Sequence, residues 1–445
     1  MDRKAEKSIF RWIDDSENAL LVSGARQVGK TYSIRKCLQQ RKCNYLEINL
    51  IEDPELIQVL NNSNSVQDLV INLSAAKDYS FVKGETILFI DEVQEAKDIV
   101  TRIKFWVDEG SFRYVLSGSL LGIELKGLRS APVGYLDEIE MFPLDFEEFL
   151  TVSGVVPETL SLLKDCFETC TPVPEIIHDR MLQHYRRYLV IGGMPAAVKE
   201  YLESGNVNEV AAIQRNIIEL YKLDFTKYET ENNKLRLIAI YDQIASQLQK
   251  KNRRYILSDI EKGLRFEQLE SSFLWLAAAG VAIPVYNTTE PRVSLEQNKK
   301  SSLFKLYSSD VGLLSCQLGN SLRIKILMGD DKMNLGGIYE NAVAQELLCH
   351  GFRTYYFNSK SQGELDFVTE RAGGVVPIEV KSGKDYYVHS ALNNVLANTE
   401  YEISEAYVFS NANISFEDNI FYCPVYMVGF LADDEPLPIL ERLER

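Results

Sequence analysis

The apolar positions along the chain change period several times, and each change predicts an element. Leu20, Leu21 and Val22 form a short unbroken apolar run of the kind that makes a strand buried on both faces. Ser23 opens a turn, and T-Y-S-I-R-K-C-L-Q (31–39) is compatible with a helix. N-Y-L-E-I-N-L (44–50) reads as a second strand, followed by a polar helical region up to Gly84. Further strands follow at T-I-L-F-I-D-E-V-Q (86–94), F-R-Y-V-L-S-G-S (112–119) and Y-L-D-E-I-E-M (135–141), the last leading into a helix that Asp145 can cap. Strands alternating with helices predict an α/β fold with a parallel sheet.

Beyond Val152 the pattern is helical as far as Tyr228, broken at Gly192, Gly193 and Pro195, which read as a helix-to-helix corner. Segments 235–248, 255–264 and 266–281 then have the spacing of a winged helix-turn-helix, with V-A-I-P-V (281–285) and L-F-K-L-Y-S-S-D (303–310) as its wing strands. Its presumed recognition helix carries Glu267 and Glu270, with Arg265 the base beside it, which favours packing within the chain over reading a DNA groove. The basic stretch 250–254 and Lys299, Lys300 keep the DNA reading open. A last domain opens with a helix near Tyr339 and continues through R-T-Y-Y-F (353–357), G-E-L-D-F-V (363–368), a turn at 372–374 and V-V-P-I-E-V-K-S-G-K (375–384).

Two stretches carry chemistry. Gly24, Gly29, Lys30 and Thr31 fit G-x-x-x-x-G-K-[ST], where successive backbone N–H groups wrap a β-phosphate and side chains at the glycines would obstruct it. The intervening Ala25, Arg26, Gln27 and Val28 complete the loop, and Tyr32 follows it. Lys30 reaches the β/γ-phosphates and the Thr31 hydroxyl holds Mg²⁺. Asp91 and Glu92 end a buried strand, so their carboxylates point into the crevice where α/β sheets bind ligands. Asp91 is expected as the second Mg²⁺ partner, through water, and Glu92 as the base that orients the attacking water. Ser117 and Ser119, at the end of the neighbouring strand, read either as γ-phosphate sensors or as a turn rich in small residues. In the last domain Asp366 lies on one strand, with Glu379 and Lys381 two apart on the next, an arrangement able to share one hard divalent cation with a substrate phosphate. Exposed strands of alternating charge are the competing reading.

Composition narrows the field. The net charge of −16 argues against a broad electrostatic footprint for nucleic acid. Seven scattered cysteines without a C-x-x-C pair fit buried free thiols in a reducing cytoplasm better than a metal site. The N-terminus mixes acids and bases without an apolar core, unlike a signal peptide, and the longest apolar stretch, 274–285, is cut by Pro284 and too short for a bilayer.

On G-A-R-Q-V-G-K-T, L-F-I-D-E-V-Q, V-L-S-G-S, F-P-L-D-F-E-E-F, G-G-M-P, G-E-L-D-F-V and I-E-V-K-S-G, nearly the whole chain resembles prokaryotic AAA-type P-loop ATPases with a C-terminal DUF4143 domain. The resemblance implies an additional-strand P-loop ATPase core (1–151), a helical lid region (152–230), a winged-helix-like module (231–330) and a domain similar to PD-(D/E)xK nucleases (331–445). By the same resemblance Gly193 and Pro195 pack near adenine, and Glu340, Asp366, Glu379 and Lys381 match the acidic and E-x-K positions of the nuclease fold. Gly134 and Tyr135 stand where some relatives carry Gly-Arg, so the resemblance names no arginine finger there, and Arg129 is only a candidate. The expected activity is ATP hydrolysis with Mg²⁺ that controls the C-terminal modules. The alternatives are an ATP-gated nuclease acting on DNA or RNA and a slow nucleotide-dependent switch or scaffold recruiting a protein partner. The resemblance allows an oligomer.

Overall fold

The computed structural model describes residues 1–63, 65–96, 98–119, 134–228, 231–250, 252–260, 263, 265–330 and 334–431, without the side chains of 226–228, 231 and 232. Arg129 lies outside these residues. The chain folds into two compact units that interleave in sequence, one of 1–144, 194–238 and 269–282, the other of 145–193, 239–268 and 283–445.

In the first unit, β1 (Ala19–Gly24), β2 (Tyr45–Asn49), β3 (Ile87–Asp91), β4 (Arg113–Ser117) and β5 (Leu136–Met141) form a parallel sheet in the order β2-β3-β4-β1-β5. Ala19 to Val22 and all of β3 are buried, as their apolar runs require, and each fully buried Leu or Ile contributes about 1.5–3 kcal/mol. On the outer strand β2 burial alternates, with Leu46 and Ile48 turned inward. The helix Lys4–Asp15 buries Ile9, Trp12 and Ile13 at helical spacing. Arg113 stacks 4.3 Å over the Trp12 ring and donates to the carbonyls of Trp12 and Ile13, closing that helix's C-terminal end. Because β4 lies between β1 and β3, the ends of three neighbouring strands converge at one edge of the sheet.

The second unit is built on a mixed eight-stranded sheet of β6 (Ala282–Thr288), β7 (Lys299–Ser308), β8 (Tyr355–Ser359), β9 (Gly363–Arg371), β10 (Gly374–Val380), β11 (Ala406–Ser410), β12 (Ser415–Glu417) and β13 (Ile420–Pro424). Its order is β12-β13-β11-β10-β9-β8-β6-β7. The expected wing strands are therefore not a separate hairpin module: β6 runs parallel to β8, pairing Tyr286 to Thr288 with Tyr355 to Phe357, and carries β7 into the C-terminal sheet. No break in this sheet falls at the expected 330/331 boundary. The middle helix expected at 255–264 is reduced, among its described residues, to a single 3-10 turn, Leu257–Asp259. Tertiary contacts outcompete helix propensity there, since the Tyr255 N–H donates to Phe304 O, its hydroxyl to Ile240 O, and its ring stacks on Phe304. The helix Gly336–Cys349 is buried from Gly336 to Leu347 and is tied to the end of β7 by Asn341, which donates to Ser308 O and accepts from Ser308 N.

The G-G-M-P break is a helix corner built on a carboxylate. Gly192 has φ +73°, and a Cβ there would lie 2.3 Å from Oδ1 of the buried Asp310. Asp310 also accepts from the N–H groups of Gly193 (2.6 Å) and Leu313 (2.8 Å), the latter capping Val311–Leu318. No described helix is long and apolar enough to cross a membrane.

Candidate functional site

The phosphate loop leaves β1 at Gly24, where a Cβ would lie 2.1 Å from Met141 O on β5, so that only glycine fits. Gln27 and Gly29 also take positive φ, and the helix Lys30–Gln40 starts from Gly29. The positive end of that helix therefore begins directly at the loop. Arg3 pins the loop from behind, donating to Val28 O at 2.8 Å and to Phe142 O at 2.6 Å, a role without any local sequence signal. Lys30 Nζ folds back onto two loop carbonyls, Gly24 O at 3.0 Å and Ala25 O at 2.8 Å. Burial pulls its pKa down to about 8 against the pull of Glu92 and Asp91.

Asp91 is the hub of the opposite wall. Its Oδ2 accepts from Thr31 Oγ1 at 3.0 Å and Asn49 Nδ2 at 3.2 Å, and its Oδ1 from the Ser117 hydroxyl. Thr31, Asp91 and Ser117 are therefore brought together, with Asn49 as a member that the sequence reading missed. A hydroxyl and a carboxylate converging on one point are oxygen ligands of the kind Mg²⁺ takes, so the residues fit that ion. Glu92 has φ +56°, uncommon outside glycine, and accepts from Gln94. Ser119 is buried. Beside the loop a pocket of about 480 Å³ is lined by Arg3, Gly29, Tyr32, Ser33, Pro195 and Lys199 among others. Pro195 Cγ lies 3.7 Å from the position a Gly29 Cβ would take. Gly193 is not among the lining residues; its N–H is committed to Asp310.

The second candidate site lies on β9 and β10, which pair antiparallel up to Phe367 and Ile378. Asp366 Oδ2 accepts the Val380 N–H at 3.0 Å, and Lys381 Nζ lies 3.1 Å from Glu379 Oε2. Burial and the neighbouring Asp366 hold the Glu379 carboxyl well above the usual carboxylate range. The adjoining cleft, about 730 Å³, is lined by Arg253, Glu364, Asp366, Glu379 and Lys381 among others, but not by Glu340, which is fully buried. Lys305, in the middle of β7 and also fully buried, places Nζ 2.9 Å from Glu364 Oε1, 3.6 Å from Glu340 Oε2 and 3.7 Å from Asp366 Oδ1. Arg253 pairs with Glu340 and lies 3.9 Å from Asp366 Oδ1. The trio of Glu340, Asp366 and Glu379 expected to hold a metal is thus interleaved with cations. Among the described residues the group of three potential ligands within 4.8 Å of one another is instead Asp145, Glu346 and His350. In that group Asp145 forms a capping box with Glu148, and Glu346 accepts the Phe146 N–H.

Three family models match the chain: an AAA domain over residues 16–150, a domain of unknown function (DUF8612) over 182–323 and a domain of unknown function (DUF4143) over 335–428. The chain joins an AAA domain to a DUF4143 domain. No curated protein matches it. Solved structures with similarity include a Walker-type ATPase of Pyrococcus abyssi (15% identity, TM-score 0.42, 71% of this chain and 95% of that one). Others are the Aeropyrum pernix Orc1 protein in complex with DNA (14%, 0.30, 73% and 91%) and the Thermotoga maritima RuvB Holliday junction branch migration motor (14%, 0.30, 68% and 92%). The AAA domain contains the phosphate loop, Asp91 and Ser117, while Asp366 and Glu379 lie in the DUF4143 domain. Lys305 and Arg253 reach the DUF4143 acids from outside its matched residues, within the stretch matched by DUF8612. The signal for Lys305 was one charge between Phe304 and Leu306 in an apolar strand.

Proposed function

We propose that this chain is an ATPase whose AAA domain binds ATP with Mg²⁺ and hydrolyses it, and that the nucleotide state acts on the second unit. The observation that supports this most directly is the convergence of Lys30, Thr31, Asp91 and Ser117 around the phosphate loop. An arriving β-phosphate takes the Lys30 ammonium from the Gly24 and Ala25 carbonyls, and the loop N–H groups and the helix at Lys30 supply the remaining donors. Thr31 and, through water, Asp91 would hold Mg²⁺, which supplies neutralisation of the phosphate charge. Glu92 orients the attacking water, and Ser117 and Ser119 sense the γ-phosphate. Tyr32 and Pro195 offer the adenine a stacking face and an apolar edge in the 480 Å³ pocket. Gly193, bonded to Asp310, is two residues from Pro195 in the chain, a short covalent route from pocket to second unit.

The test is ATP hydrolysis by the purified chain with Mg²⁺. Positioning and charge neutralisation supply nearly all of the catalysis in such chemistry, so Lys30→Ala abolishes turnover. Glu92→Gln lowers the rate about 10²–10⁴-fold while ATP still binds. Unimpaired hydrolysis by Lys30→Ala would overturn the assignment.

A further inference from the structure

The acidic hairpin has the carboxylates of a divalent-cation site, but their oxygens are engaged. Glu340 Oε1 pairs with Arg253, and its Oε2 accepts from the Tyr307 hydroxyl at 3.0 Å and faces Lys305 at 3.6 Å. Asp366 Oδ1 faces Lys305 at 3.7 Å and Arg253 at 3.9 Å, and its Oδ2 accepts the Val380 N–H. Glu379 Oε2 is paired with Lys381. A hard cation needs several carboxylate oxygens at once, and here five of the six already face a positive group or a hydrogen-bond donor.

We propose that the Lys305 ammonium stands in the place of a divalent cation at the acidic hairpin, so that this hairpin holds no metal and has no metal-dependent phosphodiesterase activity. Burial makes the substitution hard to reverse. Lys305 projects from the interior of a sheet strand and, like Glu340, has no solvent exposure. A divalent ion entering beside it would bring the ion, Lys305 and Arg253 together in a low-dielectric interior, where like charges repel strongly. Expelling the ammonium instead would strip the partly exposed Glu364 of its 2.9 Å partner and take the fully buried Lys305 away from its carboxylates. The proposal does not depend on the nucleotide site.

The test is Mn²⁺ binding without nucleotide, followed by the electron paramagnetic resonance signal of free Mn²⁺, on full-length wild type, Asp366→Asn, Lys305→Met and the Lys305→Met/Asp366→Asn pair. Any ion held at Asp145, Glu346 and His350 is common to all four and cancels. Wild type and Asp366→Asn are expected to bind the same amount, while Lys305→Met gains one Mn²⁺ per chain that the double variant loses. Wild-type Mn²⁺ binding that Asp366→Asn removes, or a folded Lys305→Met without the added site, overturns the proposal. Plasmid nicking in Mg²⁺ or Mn²⁺ is the second readout and needs neither buried variant. Supercoiled plasmid stays intact with wild type; nicking that disappears in Lys381→Ala, at a half-exposed position, overturns the proposal as well.

Discussion

Thr31 Oγ1 donates to Asp91 Oδ2 across 3.0 Å, joining the first turn of the helix after the phosphate loop to the end of β3. Two elements sixty residues apart in sequence thus present one oxygen cluster, and either side chain alone leaves it incomplete. Thr31→Ala should raise the Mg²⁺ concentration for half-maximal ATP hydrolysis about 10–100-fold, as loss of a metal-site partner does elsewhere. A Mg²⁺ titration at saturating ATP measures it.

Lys30 gives the nucleotide reading a pH signature. With its pKa lowered to about 8 by burial, the free protein loses this charge as pH rises through 8, whereas a bound phosphate keeps the ammonium protonated. ATP affinity should therefore fall above that pH, and binding should take up a proton. Calorimetry at pH 8.5 in buffers of different ionisation enthalpy detects the uptake. Lys30→Arg, which stays charged, should abolish it.

Tyr32 lines the pocket beside Pro195 but lies to the side of the phosphate loop. Tyr32→Ala should weaken ATP by about 1–3 kcal/mol, the worth of a base stacked on an aromatic ring, and leave inorganic triphosphate binding unchanged. Competition between the two ligands separates the terms.

Asp310 should make stability depend on pH. Burial raises its pKa to about 6 even though it accepts the Gly193 and Leu313 N–H groups. The folded state holds the proton more tightly than the unfolded one, so this stabilisation is present below about pH 4 and is lost as pH rises through 6, by about 2–3 kcal/mol. Asp310→Asn removes that slope. Denaturant unfolding of both proteins between pH 4 and 7 tests it.

The first unit was largely legible in the sequence because its signals are local. Leu20 to Val22 and Ile87 to Asp91 read as buried strands and are, and the glycine spacing located the loop. Arg3 and Asn49 gave no such signal, since each acts through partners far along the chain. In the second unit the hairpin at Asp366 was legible for the same local reason, but the pairing of Tyr286 with Tyr355 was not, because strand partners separated by a long stretch leave no period in either strand. Reading 303–310 as a wing strand hid Lys305, whose meaning comes from Glu340 on a helix and Asp366 on β9. Gly193 was placed near adenine by resemblance, while its backbone serves Asp310.

The interleaving of the two units has a consequence for anyone cutting the gene. The backbone passes from one unit to the other at 144/145, 193/194, 238/239, 268/269 and 282/283, so neither unit is a contiguous segment. A fragment ending at Leu144 keeps the phosphate loop and loses Pro195, Ala196 and Lys199 from its pocket; one beginning at Gly336 keeps Asp366 and loses Lys305 and Arg253. The family boundaries therefore mark shared sequence, and are poor places for scissors.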